Sequence, residues 1–327
     1  MFGMDPLLNM AALLFAGLLF SRLIKLLKLP NVTGFLVGGL IIGPSVLGLL
    51  STQGVESLGL ISSVALGFIA FSIGSEFKIS YFRRVGFLPI VIATFESLFA
   101  VVFVVAALAA AGQTLPFSLV LGAIAAATAP AATIMVIKQY RAKGPVTETL
   151  LSVVALDDAT ALIFFGIAVA IAQALESPQH ASLLFSVLSP VLQILAALGI
   201  GLALGAAHTL LIRVLPARHN RLVLTIAFVL TATAVAELLG LSALLTTMAM
   251  GAVFANFCKQ SAQVMELTDR FTNPIYMMFF VLSGAGLNLS ILPSIGLVGV
   301  IYVVVRVLGK MAGAWFGATL MHGPAEV

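Results

Sequence analysis

The chain is cut into apolar blocks of about 20 residues, with basic residues gathered in every second connection between them. Eleven candidate spans lie near 7–27, 31–50, 56–75, 86–111, 116–138, 146–174, 184–213, 220–239, 242–258, 271–290 and 294–320. A helix rises 1.5 Å per residue, so blocks of this length cross the roughly 30 Å hydrocarbon layer of a bilayer. The odd-numbered connections carry Arg22, Lys25 and Lys28; Lys78, Arg83 and Arg84; Lys138, Arg141 and Lys143; Arg213, Arg218 and Arg221; Lys259 and Arg270. The even-numbered ones carry no Lys or Arg. Lys and Arg collect in cytoplasmic loops, so the N-terminus is expected outside and residue 327 inside.

With 61% hydrophobic and 9% charged residues, a soluble fold could not hide the apolar surface. Residues 1–327 are therefore expected to form a single transmembrane domain, all-α, multi-pass, with the lipid bilayer as its partner. The net charge of +4 bears on topology and gives no reason to expect a nucleic-acid partner. Cys258 alone can form neither a disulfide framework nor a cysteine metal cluster. The N-terminal block lacks the basic flank of a signal peptide and is expected to remain as the first helix.

Two bases fall inside a span instead of between spans. Arg306 and Lys310 lie in the eleventh block at i, i+4, on one helix face. Each costs roughly 2.5–3.5 kcal/mol in hydrocarbon even on a lenient insertion scale, and Lys310 is about 15 Å short of its helix end. The matching anions are Glu96 in the fourth span and Asp157 and Asp158 in the sixth, the aspartates roughly 15 Å in from the cytoplasmic end. Neighbours on a helix point about 100° apart, so one aspartate can pair while the other faces a cavity. Three carboxylates against two cations leave one negative charge over, which is what a cation site needs. A buried carboxylate without a fixed partner holds either a proton or a cation, and competition for one place is the minimal physics of exchange. Glu76 and Glu237 fall near helix ends, and His208 is expected at the interface of the seventh span.

The fifth span contains Ala127-Thr128-Ala129-Pro130-Ala131-Ala132-Thr133 near mid-depth. Proline removes a backbone donor, and small residues let another helix approach, so Pro130 and Thr133 mark a candidate broken helix. Loose carbonyls and the Thr128 hydroxyl could then join Asp157 and Asp158 as ligands of a monovalent cation or a proton.

The segment TAPAATIMV from Thr128, followed by KGPVTETLLSVVALDDATALI, resembles the monovalent cation/proton antiporter-2 family, which includes sodium/proton antiporters. FSIGSEFKI, AELLGLSALLTTMAMG, NPIYMMFFVLSGAGLNL and RVLGKMAGAW extend the resemblance over nearly the whole chain. It implies that Asp158 is the ion- and proton-binding aspartate, that Asp157 pairs with a core lysine matched by Lys310, and that Arg306 partners Glu96. It further implies electrogenic antiport of Na+ for H+ by a homodimer in a bacterial inner membrane. The implied fold is an inverted-repeat antiporter fold of about 13 helices, with core helices near 86–174 and 294–320. Scaffold and dimer helices would occupy 7–75 and 220–290, with a linker helix at 184–213. A second broken helix belongs to that fold, and the chain stops at Val327 where it would begin, so a segment truncated after 11 of the helices is expected not to transport by itself. No cofactor is expected, since Na+ or K+ and H+ are substrates.

A K+/H+ efflux antiporter of the same superfamily is the nearest alternative, although such proteins usually append a nucleotide-binding domain. A bile-acid-type sodium symporter fits the adjacent aspartates and the core lysine poorly. An intramembrane aspartyl protease needs its aspartates on separate helices, so enzyme activity is not expected. A non-transporting membrane fragment or sensor, or a channel, is the remaining class.

Overall fold

The computed structural model describes residues 5–77, 79, 86–128, 130–176, 183–214 and 217–323. Lys78, Arg83 and Arg84 lie outside the described residues, as do the side chains of Asp158, Pro130, Glu76 and Arg218. Among the described residues the fold is all-helical. The helices are α1 Pro6–Leu26, α2 Asn31–Ile42, α3 Thr52–Ser57, α4 Gly59–Glu76, α5 Leu88–Ala110, α6 Leu115–Ala126 and α7 Pro130–Tyr140. They continue with α8 Pro145–Glu176, α9 Leu183–Val214, α10 Arg218–Leu238, α11 Ala243–Phe257, α12 Ser261–Ala285 and α13 Leu292–Leu320. Counting α6 with α7 as one interrupted span and leaving out the short α3, the described helices give the eleven spans read from hydropathy.

Helix ends fall where local chemistry puts them. Pro6, Pro89 and Pro116 occupy first turns, whose amide hydrogens have no partner within the helix in any case. The Asp5 carboxylate caps α1 by accepting from the Leu7 amide at 2.7 Å. The second span is helical only to Ile42, because the chain leaves the helix at Gly43-Pro44 and turns through Gly48, at φ 64°. The tenth span begins ten residues earlier than expected, with α12 starting at Ser261. Its first three turns carry Glu266, Asp269 and Arg270, and this polar stretch escapes a hydropathy reading. Arg270, expected in a connection, sits inside α12 as an exposed i, i+4 pair with Glu266.

Most of the helices fall into two sets by the apolar clusters they pack around, and a small cluster of Ile163, Ala197 and Leu245 joins α8 to α9 and α11 across them. In the first, α5, α6, α8 and α13 bury Leu88, Ile92, Ala93, Val104, Leu108, Ala125 and Val153. In the second, α1, α2, α4, α10, α11 and α12 share a larger cluster, with Phe68, Phe71, Phe254, Tyr276 and Val281 among its buried side chains. Helix α7 leans into this second cluster through Ile134.

The α5–α13 contact is closest at Gly309, Gly313 and Gly317, one helical turn apart. A Cβ at each would stand 3.0 Å from Ala100 Cα, 2.7 Å from Glu96 Cα and 3.0 Å from Ile92 Cα. Each step of four up α13 matches a step of four down α5, so the two helices run antiparallel with their backbones in contact. Near the start of α13 the helical path is broken at Gly296, whose φ of 49° and ψ of −136° suit only glycine.

His208 is a correction to its expected interfacial place. It is fully buried on α9, ringed by Phe71, Phe228 and Phe254, with Nε2 3.0 Å from Thr225 Oγ1. Gly201 and Gly205 bring α9 against the α11 backbone, and this close approach turns the face carrying His208 inward. Glu237, one residue from the end of α10, is exposed as expected.

Substituting Gly313→Val should cost at least about 2 kcal/mol, since neither backbone can retreat from the added Cβ. Gly199→Ala, where nothing lies within 4 Å, should be neutral. Thermal unfolding and size-exclusion profiles in detergent would check both.

Candidate ion-binding site

Helix α6 stops at Ala126, Ala127 is extended at ψ 140°, and Pro130 opens α7. Proline therefore stands at the first position of a new helix, where it is favourable, and does not kink a continuous one. The gap leaves Thr128 outside any helix, and its hydroxyl donates to Asp157 Oδ2. Asp157 is fully buried on α8. Ser97 of α5 donates to its Oδ1, and Thr160 lies one turn further along α8, with its hydroxyl 3.0 Å from Ser97 Oγ and 3.4 Å from Asp157 Oδ1.

Lys310 closes the constellation. Its Nζ is 2.9 Å from Asp157 Oδ2, 2.9 Å from Glu96 Oε1 and 2.7 Å from Thr128 Oγ1. An ammonium has three hydrogens, and here each has an acceptor. The side chains of Lys310, Glu96 and Asp157 are 12%, 15% and 1% exposed, so these charges sit in low dielectric and are held by one another.

Arg306 does not pair with Glu96 as expected; Lys310 takes that carboxylate. The Arg306 guanidinium donates instead to the backbone, from Nε to Ala125 O at 3.0 Å and from Nη2 to Ala127 O at 2.6 Å. These carbonyls end α6, where the helix dipole is negative and the next turn is missing. The i, i+4 spacing gave a shared face for both cations but not the partner that each depth would meet.

The structure thus brings together Asp157, Thr128, Glu96 and Lys310, with Arg306 at the adjoining helix end. Asp158 follows Asp157 within α8, and its side chain lies outside those described. Thr133, on the first turn of α7, is half-buried and is not among the groups bonded to Asp157. Ser97 and Thr160 were not singled out from sequence. Helical periodicity was the available signal, since Thr160 lies one turn from Asp157 and Ser97 follows Glu96.

The sequence model of a family described as "Sodium/hydrogen exchanger, transmembrane" matches residues 10–326. The chain belongs to the sodium/hydrogen exchanger family. Among solved structures, the sodium proton antiporter MjNhaP1 from Methanocaldococcus jannaschii at pH 8 superposes with a TM-score of 0.73. It is 20% identical, and the match covers 96% of this chain and 78% of the antiporter chain. No curated protein sequence matched. Six described helices are long and apolar enough to span a bilayer, alongside five shorter apolar ones. The exchanger-family chain is accordingly a multi-pass transporter of the cation/proton antiport type, with an antiporter fold.

In this exchanger-family site, removing the lysine charge strands two buried carboxylates. Lys310→Met should destabilise the protein by about 3–5 kcal/mol, and adding Asp157→Asn should recover part of that loss. Thermal melts of both single variants and the double variant test the pair, because independent residues would give additive losses.

Proposed function

We propose that this protein exchanges Na+ for H+ by alternating access, with both ions competing for Asp158 beside Asp157. The observation that carries the proposal is the Asp157 carboxylate, buried beside an unwound helix and shared among Lys310, Thr128 and Ser97. Ligands of this kind, carboxylate and hydroxyl oxygens at a helix break, suit a hard monovalent cation.

Glu96 and Asp157 are balanced in number by Lys310 and Arg306, so Asp158 supplies the surplus negative charge of the sequence. That carboxylate is the place where a proton and a cation exclude each other. Asp157, Asp158 and Lys310 offer more proton positions than one cation has charge, so exchange is electrogenic in this reading. The clusters packed by α5, α6, α8 and α13 support a moving core within residues 86–174 and 294–320. The scaffold and dimer contact would occupy residues 7–75 and 220–290, with a linker helix at 184–213. The setting is a bacterial inner membrane, with the N-terminus outside and the protein acting as a homodimer.

Asp158→Asn in the full-length protein should abolish Na+-driven proton movement in proteoliposomes while leaving the thermal melt within a few degrees of wild type. An amide cannot alternate between protonated and cation-bound forms. Sustained exchange by that variant would sink the assignment, and exchange that does not respond to an imposed membrane voltage would remove the electrogenic mode.

A further inference from the structure

Helix α7 carries the ion-site break at one end and, about 15 Å away, a set of directional contacts at the other. Lys138, in its last turn, places Nζ 2.6 Å from Asp269 Oδ1 on α12 and 3.0 Å from Ser72 Oγ on α4. The next residue, Gln139, accepts from the Asn31 amide at the start of α2 at 2.8 Å. Two consecutive residues of α7 are therefore bound to three helices of the larger cluster.

We propose that Lys138 and Asp269 form a reversible latch on the cytoplasmic side, which holds α7 against α2, α4 and α12 in one state of the cycle and opens in the other. This inference rests on the alternating-access reading above. The apolar contacts of Ile134 could slide, but a 2.6 Å ion pair could not survive a displacement of even one helical turn, about 5.4 Å.

The pair has the strength a latch needs. Its side chains are 35% and 41% exposed, and both line a cavity of about 1160 Å³. A hydrated pair of this kind biases an equilibrium by no more than about fivefold, so it can select a state without freezing it. Lys25, Arg141 and Lys143 also line the cavity, and Asp269 is the one anion among the described lining residues.

The test uses full-length protein carrying Cys258→Ala, with Lys138→Cys and Asp269→Cys joined by a short reducible cross-linker. Cross-linked protein should lose at least tenfold of its exchange and regain it on reduction; undiminished exchange while cross-linked would overturn the latch. In a second arm, Lys138→Gln and Asp269→Asn should each change the exchange rate about two- to fivefold. The charge-reversed pair Lys138→Glu with Asp269→Lys should return it to within about twofold, and a swap no better than the single variants would count against the pair. A third arm reads cross-linking yield on a gel without any transport. Yield should differ at least twofold between saturating Na+ and Na+-free acid conditions, and a constant yield would overturn the latch. State-dependent yield in a protein that shows no exchange would sink the antiport reading alone.

Discussion

The Lys310 ammonium is the point on which the remaining geometry depends. It satisfies all three of its hydrogens with Glu96 from α5, Asp157 from α8 and Thr128 from the break between α6 and α7, while itself belonging to α13. An unpaired ammonium at this depth would cost several kcal/mol, so each of these elements is constrained to arrive within hydrogen-bond range. The glycines of α13 make that possible. Gly309 and Gly313 flank Lys310 and press the α13 backbone onto α5 beside Glu96, which brings Lys310 within reach of that carboxylate. A bulkier stripe would move the ammonium outward and leave both carboxylates unpaired.

Arg306 and Lys310 share a helix face but perform different work. Arg306 spends its donors on the terminal carbonyls of α6, which cannot be satisfied by a following turn. Lys310 is then left to balance two carboxylates. A guanidinium is suited to the first task, because its fixed fork spans two carbonyl oxygens, and a compact ammonium to the second. With Arg306 committed to the helix end, Lys310 is the cation that bonds both Glu96 and Asp157.

The span pattern and the intramembrane charges were legible in sequence because a bilayer makes both costly to disguise. Pro130 was legible too, although its role is to open α7. What escaped were features whose residue types are ordinary. Ser97 and Thr160 are hydroxyls like many others in the chain; Thr160 bonds back to its own helix at the Asp157 carbonyl just as Thr94 and Thr231 bond back to theirs, and only the folded neighbourhood sets it beside Ser97. The Glu96 partner implied for Arg306 by the resemblance could not be checked from the residues, because spacing along one helix gives direction around the axis, whereas pairing also depends on where a second helix ends. The first turns of α12 were read as a connection because a helix leaving the membrane loses its apolar signature before it loses its hydrogen bonds. His208 was misplaced for the opposite reason, since its burial comes from glycines on its own helix that a hydropathy reading treats as neutral.

Among the described ion pairs that join different helices, burial matches what each must withstand. Asp157, 1% exposed, pairs with Lys310, and both belong to helices packed around the smaller apolar clusters. Breaking that pair inside the membrane would be strongly unfavourable, so it suits groups that travel together. Lys138 and Asp269, 35% and 41% exposed, connect α7 to the larger cluster, and water can replace either partner at little cost. Strong pairing within a body and weak pairing between bodies is what a membrane protein needs if one part is to move against the other without losing its own structure. The reverse arrangement, with a buried pair between the two sets of helices and exposed pairs within each, would weld the joint and loosen the site.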